Sequence, residues 1–211
     1  MCVPWAGSGL GRLLDVGSGA GDKVVKYTHL GWRVTGVETD AQAAAQAREY
    51  HALDVRAGYL HDQRFPGASF DAVTLLFVLE HVPAPVELLR EVHRILAPGG
   101  ALLIDVPNFD SALRETFGAA WSQYAIPEHW LLPTEATLRG MAERAGFQVE
   151  SVRHRASRSL YKVCLERARR LGALDPELPT ADADIERWLE RRAAAPRGDL
   201  MLLLARKPGT P

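Results

Sequence analysis

Leu13-Leu14-Asp15-Val16-Gly17-Ser18-Gly19-Ala20-Gly21 is the stretch that decides the fold of this chain. It begins with an apolar run of strand length, and three glycines then alternate at positions 17, 19 and 21 ahead of a helical pattern. A strand, a glycine loop and a helix in this order form the first unit of nucleotide-binding α/β folds. Because a glycine has no Cβ, such a loop can turn tightly and let a ligand approach the backbone.

The spacing of the glycines distinguishes between ligand classes. Gly17-x-Gly19-x-Gly21 differs from the Gly-x-Gly-x-x-Gly pattern that seats a dinucleotide pyrophosphate, and Asp22 would repel a phosphate at the start of the helix. The Gly-Lys-Ser/Thr of a phosphate-binding P-loop does not follow the loop either. The spacing therefore argues against a nicotinamide-dependent oxidoreductase and against a P-loop enzyme.

Asp15-x-Gly17-x-Gly19-x-Gly21 resembles motif I of the class I S-adenosylmethionine (SAM) methyltransferases. The resemblance is strongest from residue 69 to residue 108, with Ser-Phe-Asp-Ala-Val, Val-Leu-Glu-His-Val-Pro and Leu-x-Pro-Gly-Gly, which are typical of a branch that methylates small molecules. It covers roughly residues 12–150. It implies SAM as cofactor, S-adenosylhomocysteine as product, and a Rossmann-like α/β three-layer sandwich. The seven-stranded, mostly parallel sheet of that fold has the order 3-2-1-4-5-7-6 with strand 7 antiparallel.

The composition is that of an ordinary globular protein. The chain has 211 residues, 47% of them apolar, and a net charge of −1, so nothing in its overall charge favours nucleic acid as a partner. No apolar run reaches the length of a membrane span, and the N-terminus lacks a signal-peptide pattern. Cys2 and Cys164 have no metal-ligand spacing. We expect one domain over residues 1–211 in a reducing, cytoplasmic environment.

Hydrophobic periodicity predicts seven strands and a helical insert. The insert covers residues 156–198, between the sixth and seventh strands, and carries two helices. We expect Leu160, Val163, Cys164 and Leu171 on the apolar face of its first helix, and Ile185, Trp188 and Leu189 on that of its second. The first helix is rich in arginine, which fits either a solvated face or a site for an anionic substrate. The strands are predicted at residues 12–16, 33–38, 55–57, 70–78, 101–106, 147–153 and 200–205.

A carboxylate at the end of the second strand can accept two hydrogen bonds from a ribose diol. Glu38 stands at that position, and we expect it to bind the cofactor ribose rather than only to mark a solvated strand end. The resemblance further implies that Tyr59 and Leu60 lie near the adenine, although Tyr59 stands where many relatives carry Asp. Phe77 is predicted to form a wall of the cofactor or acceptor pocket. The cofactor-binding set predicted here is Asp15, Gly17, Gly19, Gly21, Glu38, Tyr59, Leu60 and Phe77.

Two histidines are candidate catalytic bases. Methyl transfer from SAM needs donor, carbon and acceptor close to collinear, and it needs a base only when the acceptor keeps its proton. His81 follows the fourth strand, and His129 lies in the loop after the fifth. Either imidazole can take a proton near neutral pH, and either can instead hold a loop in place by hydrogen bonds.

The pair Glu80-His81 also raises the question of a metal ion. Some quinone-pathway and RNA-end methyltransferases resemble this segment with Glu-x-x-Glu-His around a divalent ion. Phe77 stands at the first of those positions and cannot be a ligand, so the sequence predicts that no metal is bound.

The N-terminal part of the sequence departs from the family pattern. Relatives have helices before the first strand that cover the cofactor, whereas 11 residues precede Arg12 here. The cofactor would then be exposed or covered by another element, unless the chain is an N-terminally truncated enzyme. A protein that binds SAM or a partner without turnover is the rival hypothesis. The sequence names neither the small-molecule acceptor, for which an anion is one alternative, nor the oligomeric state.

Overall fold

A computed structural model describes residues 11–194 and 196–209, so most of the loop predicted over residues 1–11 lies outside the described part. The strands form one sheet of order β3-β2-β1-β4-β5-β7-β6, in which β7 runs antiparallel to β5 and β6 and the remaining pairs are parallel. This confirms the order and directions that the family resemblance implied. The strands are β1 (Arg12–Val16), β2 (Arg33–Glu38), β3 (Asp54–Ala57), β4 (Phe70–Leu76), β5 (Leu96–Pro107), β6 (Gln148–Arg155) and β7 (Leu200–Arg206).

Some of the helices begin at residues whose side chains satisfy free backbone N–H groups. Asp40, Thr134 and Ser157 accept such hydrogen bonds at the starts of α2, α5 and α6. Three short 3₁₀ turns lie at Leu60–Gln63, Leu79–His81 and Gly118–Ala120. The α-helices are α1 (Asp22–His29), α2 (Ala41–His51), α3 (Pro85–Ile95), α4 (Ala112–Phe117), α5 (Glu135–Arg144), α6 (Arg158–Arg170) and α7 (Asp182–Arg192).

Five strands differ in extent from the prediction, and for β4 and β5 the backbone shows the reason. β4 ends at Leu76, not at residue 78, because Phe77 has a φ of 61° and leaves the extended conformation. β5 begins at Leu96 rather than at residue 101, because Leu96 pairs with Phe70 before the register shifts to Ala72 and Ala101. Both differences arise from backbone geometry, to which hydrophobic periodicity is insensitive.

Apolar side chains cover both faces of the sheet, which gives the three layers. One core cluster joins β1, β4, β5 and β7 to α3 and α5, and another places Tyr27 and Trp32 against the opposite face. A further cluster combines α4 and residues 117–121 with α6 and α7. No helix in the described residues is both long and apolar enough to cross a membrane.

Helices α6 and α7 lie between β6 and β7, where the helical insert was predicted. In α7 the predicted apolar residues Ile185, Trp188 and Leu189 are buried. The face predicted for α6 is partly wrong, because Val163 and Leu171 are exposed. The buried stripe of α6 consists of Tyr161, Cys164, Leu165 and Ala168, which has the same helical spacing but begins at a tyrosine.

Candidate active site

A cleft of about 740 Å³ opens at the carboxyl ends of β1, β2 and β4. Ligands of open α/β sheets bind at this edge, where the strand order reverses, and the volume is within the usual range of small-molecule sites. Its lining includes Gly17, Glu38, Tyr59, Leu60, Phe77, Val78 and His81.

The glycine loop after β1 is shaped by packing at one glycine and leaves open space at the next. Gly17 has a φ of 71°, and a Cβ there would lie 2.4 Å from Cγ2 of Val78. Gly19 has a φ of 56°, and among the described residues no heavy atom would lie within 4 Å of its Cβ. Gly19 therefore faces open space, although it is not among the residues that line the cleft. The predicted cofactor residue Gly21 lies against α2, since its Cβ would be 2.6 Å from Cδ1 of Leu53.

The carboxylate of Glu38 is held between the glycine loop and the start of α2. Its Oε2 accepts a hydrogen bond from Gly19 N at 2.8 Å. Its Oε1 accepts hydrogen bonds from Asp40 N at 2.9 Å and from Oγ1 of Thr39 at 3.2 Å. These three donors fix an acceptor group at the edge of the cleft, where it can receive the hydroxyls of a ribose.

Asp15 is a buried carboxyl at the end of β1 with one oxygen unused. Its Oδ1 accepts a hydrogen bond from Oγ1 of Thr74 at 2.5 Å, and Oδ2 has no partner among the described residues. Burial raises the pKa of Asp15 to about 7, although Thr74 and Lys23 act in the opposite direction. An unused buried oxygen of this kind suits a ligand that brings a cationic hydrogen-bond donor.

The two residues predicted near the adenine both line the cleft but differ in exposure. Leu60 is 4% exposed and belongs to the main core, so it presents a fixed apolar wall. Tyr59 is 62% exposed and stacks on His61 with ring centroids 5.7 Å apart. Its backbone N donates to Oδ2 of Asp62 at 3.3 Å. The stacked pair offers an aromatic edge at the mouth of the cleft.

Phe77 lines the cleft in a strained backbone conformation. Its φ is 61°, a value that residues other than glycine seldom adopt. Its N donates to Asp105 O at 2.8 Å. Lys23 Nζ lies 5.4 Å from the ring centroid and donates to Leu76 O at 3.4 Å. Lys23 was not among the predicted residues, although its position directly behind the glycine loop was the available signal.

The structure brings His81 and His129 together, with ring centroids 4.8 Å apart. Nδ1 of His81 lies 2.9 Å from Glu128 O, and Nδ1 of His129 lies 2.9 Å from Gln123 O. A carbonyl oxygen can only accept, so each Nδ1 carries a hydrogen and each neutral ring keeps its lone pair on Nε2. Burial lowers the pKa of His129, and the neighbouring His81 adds to this effect. Of the two, His81 lines the cleft.

Glu80 completes a cluster with the two histidines. Its backbone O accepts from Trp130 N at 2.7 Å and from Leu131 N at 3.2 Å, which holds the loop that carries His129. Its side chain is buried, and Oε2 has no partner among the described residues. Burial raises the pKa of Glu80 to about 7. Glu80, His81 and His129 each offer one atom to a shared point, all within 4.8 Å of one another.

The sequence paired only Glu80 with His81 and did not predict that His129 joins them. The contact is long-range, because 48 positions separate the two histidines in the sequence. Backbone hydrogen bonds between distant segments bring them together. Three such groups can hold a proton or a metal ion. The prediction that no metal is bound rests on Phe77 and stays a prediction.

The basic face of α6 is paired with acidic groups. Arg158 Nη1 lies 2.6 Å from Oε1 of Glu186, and Lys162 Nζ lies 2.5 Å from Oδ1 of Asp182, both on α7. These pairs favour the interpretation of α6 as an amphipathic helix over a site for an anionic substrate.

Comparison with known proteins agrees with this geometry. A family model described as "Methyltransferase domain" matches residues 5–152. A protein of Mycolicibacterium smegmatis named "Probable S-adenosylmethionine-dependent methyltransferase" is 32% identical over 139 residues, which are 65% of this chain and 52% of that protein. The ubiquinone biosynthesis O-methyltransferase of Xanthomonas axonopodis pv. citri is 32% identical over 173 residues, 75% of this chain and 70% of the relative.

Solved structures share the fold at lower identity. A SAM-dependent methyltransferase from Archaeoglobus fulgidus superposes with a TM-score of 0.67 and 19% identity, over 94% of this chain and 87% of the other. The chain spans about half the length of the mycobacterial relative.

Proposed function

The chain belongs to the class I SAM-dependent methyltransferases, and we propose that it transfers the methyl group of SAM to an oxygen, nitrogen or carbon nucleophile of a small molecule by in-line displacement. The observation that supports this most directly is the pairing of Glu38 with Gly19 at the edge of the cleft. The carboxylate of Glu38 accepts the hydrogen bonds of the ribose hydroxyls, and Gly19, which has no side chain, leaves room for the ligand beside it. Bound SAM supplies a methyl group already activated by its sulfonium.

The proposed cofactor roles follow from where each residue lies. Glu38 binds the ribose hydroxyls, and the backbone at Gly17 and Gly19 borders the cofactor. The unused oxygen of Asp15 receives the amino group of the methionine part. Gly21 packs the loop against α2. The cofactor-binding role predicted for Gly21 would then be the indirect one of shaping the loop.

The adenine and the reacting carbon are bounded by three further residues. Leu60 and Tyr59 form the adenine side, and Phe77 separates the cofactor from the acceptor. Catalysis then rests largely on holding the acceptor in line with the methyl group. Where the acceptor carries a proton, His81 receives it at Nε2, because His81 is the histidine that lines the cleft. His129 supports that ring from behind.

Calorimetric titration with S-adenosylhomocysteine tests this function. We expect micromolar binding, about −8 kcal/mol, and a loss of at least about tenfold in affinity for Glu38→Ala. Glu49→Ala removes an exposed carboxylate of α2 that does not line the cleft, and it should bind like the wild type. Thermal unfolding of each variant would show whether the protein remains folded when the carboxylate is removed.

Absence of binding at millimolar S-adenosylhomocysteine by a folded protein would contradict the proposal. Binding without methylation of any acceptor in a broad screen would instead support a SAM-fold protein without turnover. The single domain and the cytoplasmic location stay predictions from the sequence.

A further inference from the structure

We propose that Glu80 is a positioning residue that enables His81 to hold the proton released by methyl transfer. The inference rests on the proposed function and deepens it. It concerns a carboxyl group without a predicted part in proton transfer, and it follows from how His81, His129 and Glu80 are arranged beside the cleft.

The reaction itself creates the need for such a group. Methylation of an X–H acceptor breaks the sulfonium S–C bond, forms an X–C bond, leaves the bonding electron pair on sulfur and releases one proton. The positive charge of the sulfonium is thereby replaced by the positive charge of a proton. A site that takes up this proton has to become more basic as the sulfonium charge disappears.

The cluster is arranged in depth from the cleft inward. His81 is exposed and lines the cleft, His129 is half-buried behind it, and Glu80 is 1% exposed. Both imidazoles donate through Nδ1 to backbone carbonyls, so their Nε2 atoms are left to accept a proton. The rings are already fixed by the surrounding loop, so little reorganisation is needed when a proton arrives.

Glu80 supplies the charge that stabilises a protonated imidazole. Its backbone oxygen holds the 130–131 segment, whereas its Oε2 makes no hydrogen bond with any described residue. A carboxylate within 4.8 Å of the ring atoms favours an imidazolium, and low solvent exposure strengthens that interaction. Because burial raises the pKa of Glu80 to about 7, the cluster can share one proton near neutral pH.

Other charged groups also face the cluster, and they are present in both the SAM complex and the S-adenosylhomocysteine complex. Asp105 and Lys23 act on Glu80, from β5 and α1 respectively. Glu128 acts on His129 from its own loop. Asp15 also has a pKa of about 7 and faces the cofactor loop, so it contributes to proton uptake independently of Glu80.

Proton uptake on cofactor binding measures the role directly and needs no known acceptor. The full chain is titrated with SAM and, separately, with S-adenosylhomocysteine at pH 7, each in two buffers of different ionisation enthalpy and with EDTA present. We expect the S-adenosylhomocysteine complex to hold about half a proton more than the SAM complex. Glu80→Gln, which keeps the shape of the side chain, should reduce that difference by at least half.

Asp199→Asn is the matched control. Asp199 is also buried and also has a pKa of about 7, but it does not belong to the cluster of Glu80, His81 and His129, so Asp199→Asn should leave the difference unchanged. If Glu80→Gln does not fold, His81→Gln replaces it, because it removes the exposed ring that holds the proton and should also reduce the difference by at least half.

Three outcomes decide the matter. Retention of the wild-type difference in Glu80→Gln or His81→Gln would overturn the inference, and so would equal proton uptake with both ligands in the wild type. Those results leave the proposed function standing, because both ligands bind. Failure of both ligands to bind a folded protein would overturn the proposed function and the inference with it.

Discussion

The cofactor cleft and the helical insert are built in opposite ways. The cleft leaves buried oxygens of Asp15 and Glu80 without partners and holds Phe77 at a φ of 61°. The insert packs α6 and α7 with α4 and Trp121 into a largely apolar cluster, and it pairs surface charges between α6 and α7. The indole Nε1 of Trp121 is the buried polar atom of that cluster that has no partner among the described residues. Unused polar groups and backbone strain cost stability and persist where a ligand or a reaction uses them. The comparison thus separates a region shaped for binding from one shaped for packing.

The largest effect that can break this comparison is expected from Trp188→Ala in the insert. Trp188 is buried in the cluster that α6 and α7 form with α4. It packs against Tyr161, with ring centroids 5.2 Å apart. Removing it should lower the free energy of unfolding by about 3–5 kcal/mol through the cavity that it leaves. The affinity for S-adenosylhomocysteine, measured under conditions where the variant is folded, should stay within about threefold of the wild type.

Val163→Ala provides the control, because Val163 lies on the exposed side of α6 and should change neither quantity. A large loss of cofactor affinity in folded Trp188→Ala would show that the insert shapes the cleft, and the separation of the two regions would then be wrong. Chemical unfolding and calorimetry on the same samples give both quantities.

A smaller effect, confined to the cleft, is expected from Gly19→Ala. Gly19 and Gly31 both have positive φ values, of 56° and 88°, and no described heavy atom lies within 4 Å of either Cβ position. Alanine should therefore cost each site about 1 kcal/mol of stability through backbone strain alone. We expect only Gly19→Ala to lose S-adenosylhomocysteine affinity, by about 100-fold or about 2.7 kcal/mol. Gly31→Ala is the matched control, and equal affinities for the two variants would contradict the place assigned to the cofactor.

The sequence predicted the elements around the glycine loop better than the apolar face of α6, for a physical reason. The strand, glycine loop and helix from Arg12 to His29 are determined by neighbouring residues, and so is the carboxylate that ends β2 at Glu38. The sheet order came from a family resemblance, which carries long-range information that periodicity lacks. The face of α6 was partly wrong because its stripe begins at Tyr161, a residue that counts as polar or apolar according to its surroundings.

The contact between His81 and His129 was beyond local patterns altogether. It depends on two hydrogen bonds from a distant loop to the carbonyl oxygen of Glu80, an atom that every residue has. Backbone groups carry no identity in the sequence, so a contact made through them leaves no motif. The early end of β4 at Phe77 has the same origin, since a positive φ at an aromatic residue has no propensity signal.

The junction where the insert meets β7 provides the smallest and most selective prediction. Asp199 is buried there, and its Oδ2 accepts from Ser157 N at 2.7 Å while Oδ1 has no described partner. Burial raises its pKa to about 7. Between about pH 4 and pH 7 the folded state therefore holds a proton that the unfolded chain has lost, and stability falls as pH rises through this window.

Asparagine does not titrate, so Asp199→Asn should remove that fall. We expect the variant to match the wild type near pH 4 and to be more stable by about 1–2 kcal/mol at pH 8, once the wild-type carboxylate is charged in both states. Thermal unfolding across this range measures the difference, and Asp110→Asn, at an exposed carboxyl, should show no such trend. A constant difference at every pH would mean that Asp199 is ionised in the folded protein throughout. The junction would then contain a stabilised charge, although Asp199 shares its burial and its unused oxygen with Asp15 and Glu80.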